Sequence, residues 1–115
     1  MIARAVLLLA LLTAARDDPL AGRAAGPARE CIDLDRVQGP EIVDRRTILY
    51  RENGRRIWQT GPVGTCGLMR TGDALIVELY GRQICRNDRF RVRSGGTILG
   101  ATCRFTSFVP YDKTP

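Results

Sequence analysis

Histidine is absent from the 115 residues, and that absence excludes more chemistry than any residue present suggests. Neither a Ser-His-Asp nor a Cys-His device can be assembled from this chain, and no zinc site that uses an imidazole. Lysine is almost missing too: of 18 basic residues only Lys113 is not arginine. The longest apolar run is about 11 residues, short of the roughly 20 that a membrane-spanning helix needs. No Cys-x-x-Cys pair occurs, which argues against a redox dithiol and a zinc knuckle. Beyond the N-terminal run, no stretch carries a helical period. The remainder is ordinary: 44% hydrophobic and 26% charged residues, 12 of them acidic, for a formal net charge of +6. Such a chain folds as one domain.

The N-terminus reads as a secretory signal peptide over residues 1–15. Arg4 supplies the positive start, Ala5 to Leu12 (AVLLLALL) the short apolar middle, and Thr13-Ala14-Ala15 the small residues of a cleavage site. A lipoprotein would need a cysteine directly behind the apolar run, and the first cysteine is Cys31. The expectation is therefore an exported protein, periplasmic or secreted, with no membrane span in the mature chain. Residues 16–30 (RDDPLAGRAAGPARE) are rich in Ala, Gly, Pro and charge. That composition buries too little apolar surface to offset its ordering entropy, and predicts a flexible leader. The folded β domain is expected over 31–111, with 112–115 as a tail.

About 80 residues give a marginal core. Cys31, Cys66, Cys85 and Cys103 are an even set in a small exported domain and predict two disulfides, with three pairings open. A metal site built from the cysteines across gaps this wide is the weaker alternative, and a nucleophilic cysteine, with no histidine to activate it, the weakest.

The pattern between the cysteines is β. Residues 47–52 and 55–60 flank Asn53-Gly54, the signature of a two-residue hairpin. Its register would set Tyr50 opposite Ile57, Leu49 opposite Trp58, and Arg51 opposite Arg56. Residues 74–80 (ALIVELY) are apolar at nearly every position, as in a central strand buried on both faces. Residues 89–94 and 97–101 around Gly95-Gly96 form a second expected hairpin, pairing Val92 with Leu99 and Phe90 with Ala101. Cys103 continues the inward parity, and Phe105 and Phe108 close the core. The expected fold is all-β, a small disulfide-stapled, partly open barrel or sandwich of about six strands.

Several spacings between Cys31 and Phe108 carry a resemblance. They are Val43-Asp44-Arg45-Arg46-Thr47, Trp58 at the end of the first hairpin, Cys66-Gly67-Leu68, the step Ile84, Cys85, Asp88, and the final Cys103. In these the chain resembles a family of small exported bacterial proteins known only as a domain of unknown function. The resemblance implies export and paired cysteines. It implies no activity, cofactor or site residue.

The most pointed feature is residues 86–93 (RNDRFRVR). In a strand, Arg89, Arg91 and Arg93 line one face while Phe90 and Val92 point to the other. Forked guanidiniums about 7 Å apart match phosphate or carboxylate oxygens. Simple solvation of an outer face is the competing reading. A nucleic-acid partner is disfavoured, since no aromatic platform is interleaved. Asp33, Asp35 and Asp44, with Arg45 or Arg46, are the one carboxylate set able to do acid–base work; surface ion pairs are the plainer account. Gly64-Thr65-Cys66-Gly67 and Ser94-Gly95-Gly96 read as turns. Trp58 reads as core support. The expected function is thus a non-enzymatic binding protein of the bacterial envelope, without cofactor or metal, engaging an anionic lipid or polymer through the arginine stripe. One alternative is an inhibitor or partner of an exported enzyme, presenting Glu52, Arg55 and Arg56 at the hairpin tip. The other is a small carboxylate-dependent hydrolase.

Overall fold

A computed structural model describes residues 18–67, 69–95 and 99–114; the expected signal peptide lies outside them. Among the described residues, ten short strands form three antiparallel sheets. The largest has five strands in the order β1 (Arg23–Ala25), β10 (Val109–Lys113), β5 (Arg56–Thr60), β4 (Thr47–Arg51) and β3 (Gln38–Asp44). A second pairs β2 (Cys31–Asp33) with β7 (Gln83–Cys85), and a third runs β6 (Ala74–Val77), β8 (Arg89–Arg93), β9 (Cys103–Arg104). The sheets do not close into a barrel. The fold is the all-β, disulfide-stapled one that the sequence predicts, in more and shorter strands, and of a kind compatible with a small sandwich.

All three sheets contribute to one core. Ile42, Ile48, Tyr50 and Trp58 come from the five-stranded sheet, Ile32 and Ile84 from β2 and β7, and Phe90 and Val92 from β8. Phe105 and Phe108 are fully buried; the Phe105 ring lies 4.4 Å from that of Phe90 and 5.8 Å from that of Phe108. Burial also pushes the pKa of the Tyr50 hydroxyl upward. The disulfides are Cys31–Cys85, directly across the β2–β7 pair, and Cys66–Cys103, which ties the loop before β6 to β9. First joins third and second joins fourth.

The Asn53-Gly54 turn forms, in a different register. Glu52 N donates to Arg56 O, closing a three-residue loop over 53–55. The Asn53 side chain accepts from Arg55 N at 2.8 Å and Arg56 N at 3.3 Å. Neither Asn53 nor Gly54 takes the positive φ that a two-residue type I′ turn requires. Tyr50 therefore faces Trp58, Leu49 faces Gln59 and Arg51 faces Ile57. Arg51 and Arg56 are not opposed: Arg51 pairs with Glu41, and Arg56 pairs with Asp112 while lying 5.2 Å over the Trp58 ring. Trp58 Nε1 donates to Glu52 Oε1, which lets the indole sit in the core with its polar atom satisfied.

Three further expectations change. The 74–80 run is not a central strand: β6 stops at Val77, alternates exposed and half-buried, and pairs with β8 alone among the described residues. Leu79 and Tyr80 are exposed. Of the expected return strand 97–101, residues 97 and 98 lie outside the described residues; Leu99 makes an isolated bridge to Arg93 in place of Val92, and ladder pairing resumes at Cys103, which takes the place of Ala101 opposite Phe90. Segments near both ends of the described chain enter the sheet. Asp112 and Lys113, expected in a tail, belong to β10, and residues 23–25, expected in the leader, pair with it as β1. Arg23 fastens that edge by donating to the carbonyls of Gly54, Arg55 and Tyr111. Composition judged these segments by their own apolar content, whereas main-chain hydrogen bonds, from β10 to β5 and from β1 to β10, supply what they lack.

Candidate anion-binding face

The β8 sequence RFRVR alternates strictly, and the strand follows it: Phe90 and Val92 are buried while Arg89, Arg91 and Arg93 are exposed. Its neighbours complete an outward face. On β6, Ala74 stands beside Arg93 and Ile76 beside Arg91, while Glu78 N bonds the carbonyl of Arg89. On the other side, Arg104 stands opposite Arg89 and Leu99 opposite Arg93, and Thr102 Oγ1 accepts from Arg91 Nε at 3.3 Å. The stripe of three arginines thus becomes a cluster of four, with Arg104 added by strand pairing. Nothing local marks Arg104 in the sequence; the signal would have been the register of β9 against β8.

The described ion pairs are Arg36–Asp33, Arg51–Glu41, Arg56–Asp112, Arg82–Asp35 and Arg86–Glu30. Among the described residues, none of the four arginines of this face joins one. Beside them lies a cleft of about 230 Å³ lined by Ile76, Glu78, Arg89, Phe90, Arg91, Leu99 and Thr102. Positive charge there borders aliphatic surface, since Ile76 is 40% and Leu99 37% exposed.

The other candidate groups are placed differently. Asp33 Oδ1 accepts from Asp35 N in the turn Leu34–Arg36, Asp35 meets Arg82 at 3.3 Å, and Asp44 Oδ1 accepts from Arg46 N. Among the described residues, no three Asp, Glu, His or Cys side chains gather as metal ligands. At the hairpin tip, Glu52 and Arg56 turn back onto Trp58 and Asp112. A larger cleft of about 570 Å³ adjoins that tip, but its basic side chains Arg23, Arg36, Arg51 and Lys113 are interleaved with Asp35 and Glu52, and Arg23, Arg36 and Arg51 are already engaged by main-chain carbonyls, Asp33 and Glu41. Carboxylates there oppose an anion. No described helix is long and apolar enough to cross a membrane. Comparison with family models, curated proteins and solved structures finds no match.

Proposed function

We propose that this chain is an exported, non-enzymatic binding domain of the cell envelope that engages an anionic partner through the outward face of β6, β8 and β9. The observation that carries the reading is the gathering of Arg89, Arg91, Arg93 and Arg104 on one exposed sheet face without an ion-pair partner among the described residues. Four like charges side by side repel one another, and an anion spanning them relieves that repulsion while accepting forked hydrogen bonds. Two disulfides fit an oxidising compartment outside the cytoplasm, where phosphate- and carboxylate-bearing lipids and polymers are the polyanions at hand. The staples also hold the face rigid, since Cys103 sits on β9 itself.

The test is binding of long-chain inorganic polyphosphate by the protein and by its Arg89→Gln/Arg91→Gln/Arg93→Gln variant over a range of salt. At about 1 kcal/mol per surface arginine, the variant binds about a hundredfold more weakly, with a flatter salt dependence. Equal binding by the two proteins returns the stripe to a solvated face.

A further inference from the structure

We infer that the partner is the surface of an anionic lipid bilayer, which this face meets edge to edge with both its arginines and its exposed aliphatic side chains. The inference rests on the anion-binding reading above and narrows it. A hydrophilic polyanion would satisfy the guanidiniums alone. This face offers more: Ile76 stands directly beside Arg91, and Leu99 directly beside Arg93. Leu79 and Tyr80 follow Glu78 off the end of the β6 edge at 51% and 78% exposure.

Four of the five large apolar side chains exposed among the described residues, Ile76, Leu79, Tyr80 and Leu99, thus belong to the same sheet or the segment leaving it, and the fifth, Val63, donates its N–H to the Arg104 carbonyl on β9. Exposed apolar groups collected at one place mark an interaction surface rather than chance exposure. Their partner must present negative charge and an apolar phase within one side chain's length of each other. The headgroup–acyl boundary of a membrane containing acidic phospholipid has that layering. Arginines reach the phosphates, the aliphatic groups enter the boundary, and a tyrosine with a polar tip suits the interface itself. Glu78 is the one acid lining the cleft among the described residues, beside Arg89, and it limits the affinity without reversing its sign against four arginines.

The experiment compares the protein with the Ile76→Ser/Leu79→Ser/Tyr80→Ser/Leu99→Ser variant on three probes: vesicles of phosphatidylcholine with phosphatidylglycerol, vesicles of phosphatidylcholine alone, and long-chain polyphosphate. Unchanged Trp58 fluorescence and two intact disulfides establish that the variant is folded. The expected result is binding to the acidic vesicles far above the neutral ones, weakened at least tenfold in the variant, with polyphosphate binding unchanged. Acidic-vesicle binding that the variant retains in full overturns the lipid inference and leaves a charge-only face. Polyphosphate binding without vesicle binding does the same. Failure of the unmodified protein to bind either anion overturns both the inference and the reading it rests on.

Discussion

Removing one disulfide at a time tests the staples most directly. Cys31–Cys85 spans 54 residues of sequence and Cys66–Cys103 spans 37. On the chain-entropy relation, each loop closed in the unfolded state is worth about 4 kcal/mol. A small domain has about 5–15 kcal/mol in all. The loops overlap between Cys66 and Cys85, so once one bridge is closed the other constrains a chain already shortened, and the joint loss falls below the sum. The variants Cys31→Ala/Cys85→Ala and Cys66→Ala/Cys103→Ala are therefore each expected to lose about 3–4 kcal/mol. Urea unfolding followed by the fluorescence of Trp58, the one tryptophan, reads the change, because that indole is 4% exposed in the folded state. Loss of both should leave the chain unfolded. The pairing is checked separately. Cleavage after arginine without reduction places each cysteine on its own peptide, so fragment 30–36 should stay joined to 83–86, and 57–70 to 94–104. A loss under about 1 kcal/mol for either variant, against the entropy expected, or fragments joined in another order, refutes the reasoning.

Two other expectations concern the interior and an ion pair between β10 and β5. Phe105→Ala, which empties the position between Phe90 and Phe108, should cost about 3–5 kcal/mol in urea unfolding; a loss below about 1 kcal/mol would mean that the aromatic cluster is not the packed centre. The hydrogen bond from Arg56 holds the Asp112 carboxyl below its ordinary pKa. A carboxylate whose folded pKa is depressed adds stability above its unfolded pKa and loses it as the pH falls through the folded value. The urea midpoint of the unmodified protein should fall on acidification below about pH 4, and Asp112→Asn should flatten that fall. An identical acid profile in the two proteins would show that the pair contributes nothing in solution, as exposed pairs often do.

Local pattern and residue counts were enough to settle several features in advance. Alternation in RFRVR decided which side chains of β8 face outward, because a strand has no other way to divide a period of two. The even set of cysteines predicted two disulfides, and Asn53-Gly54 marked a turn. Features that depend on partners followed from the folded chain. The Asn53 side chain moved the hairpin register by one residue and so joined Tyr50 to Trp58 in place of Ile57. Apolar content made 74–80 look central, yet burial requires a neighbour on each side and β6 has only β8 among the described residues. The polar ends at 23–25 and 112–113 looked too poor to fold, yet main-chain bonding across β10 needs no apolar side chains. Arg104 joined Arg89 for the same reason: two residues 15 apart become neighbours only when their strands pair. Local chemistry sets the direction of each side chain, and only the pairing of distant strands sets which side chains stand together.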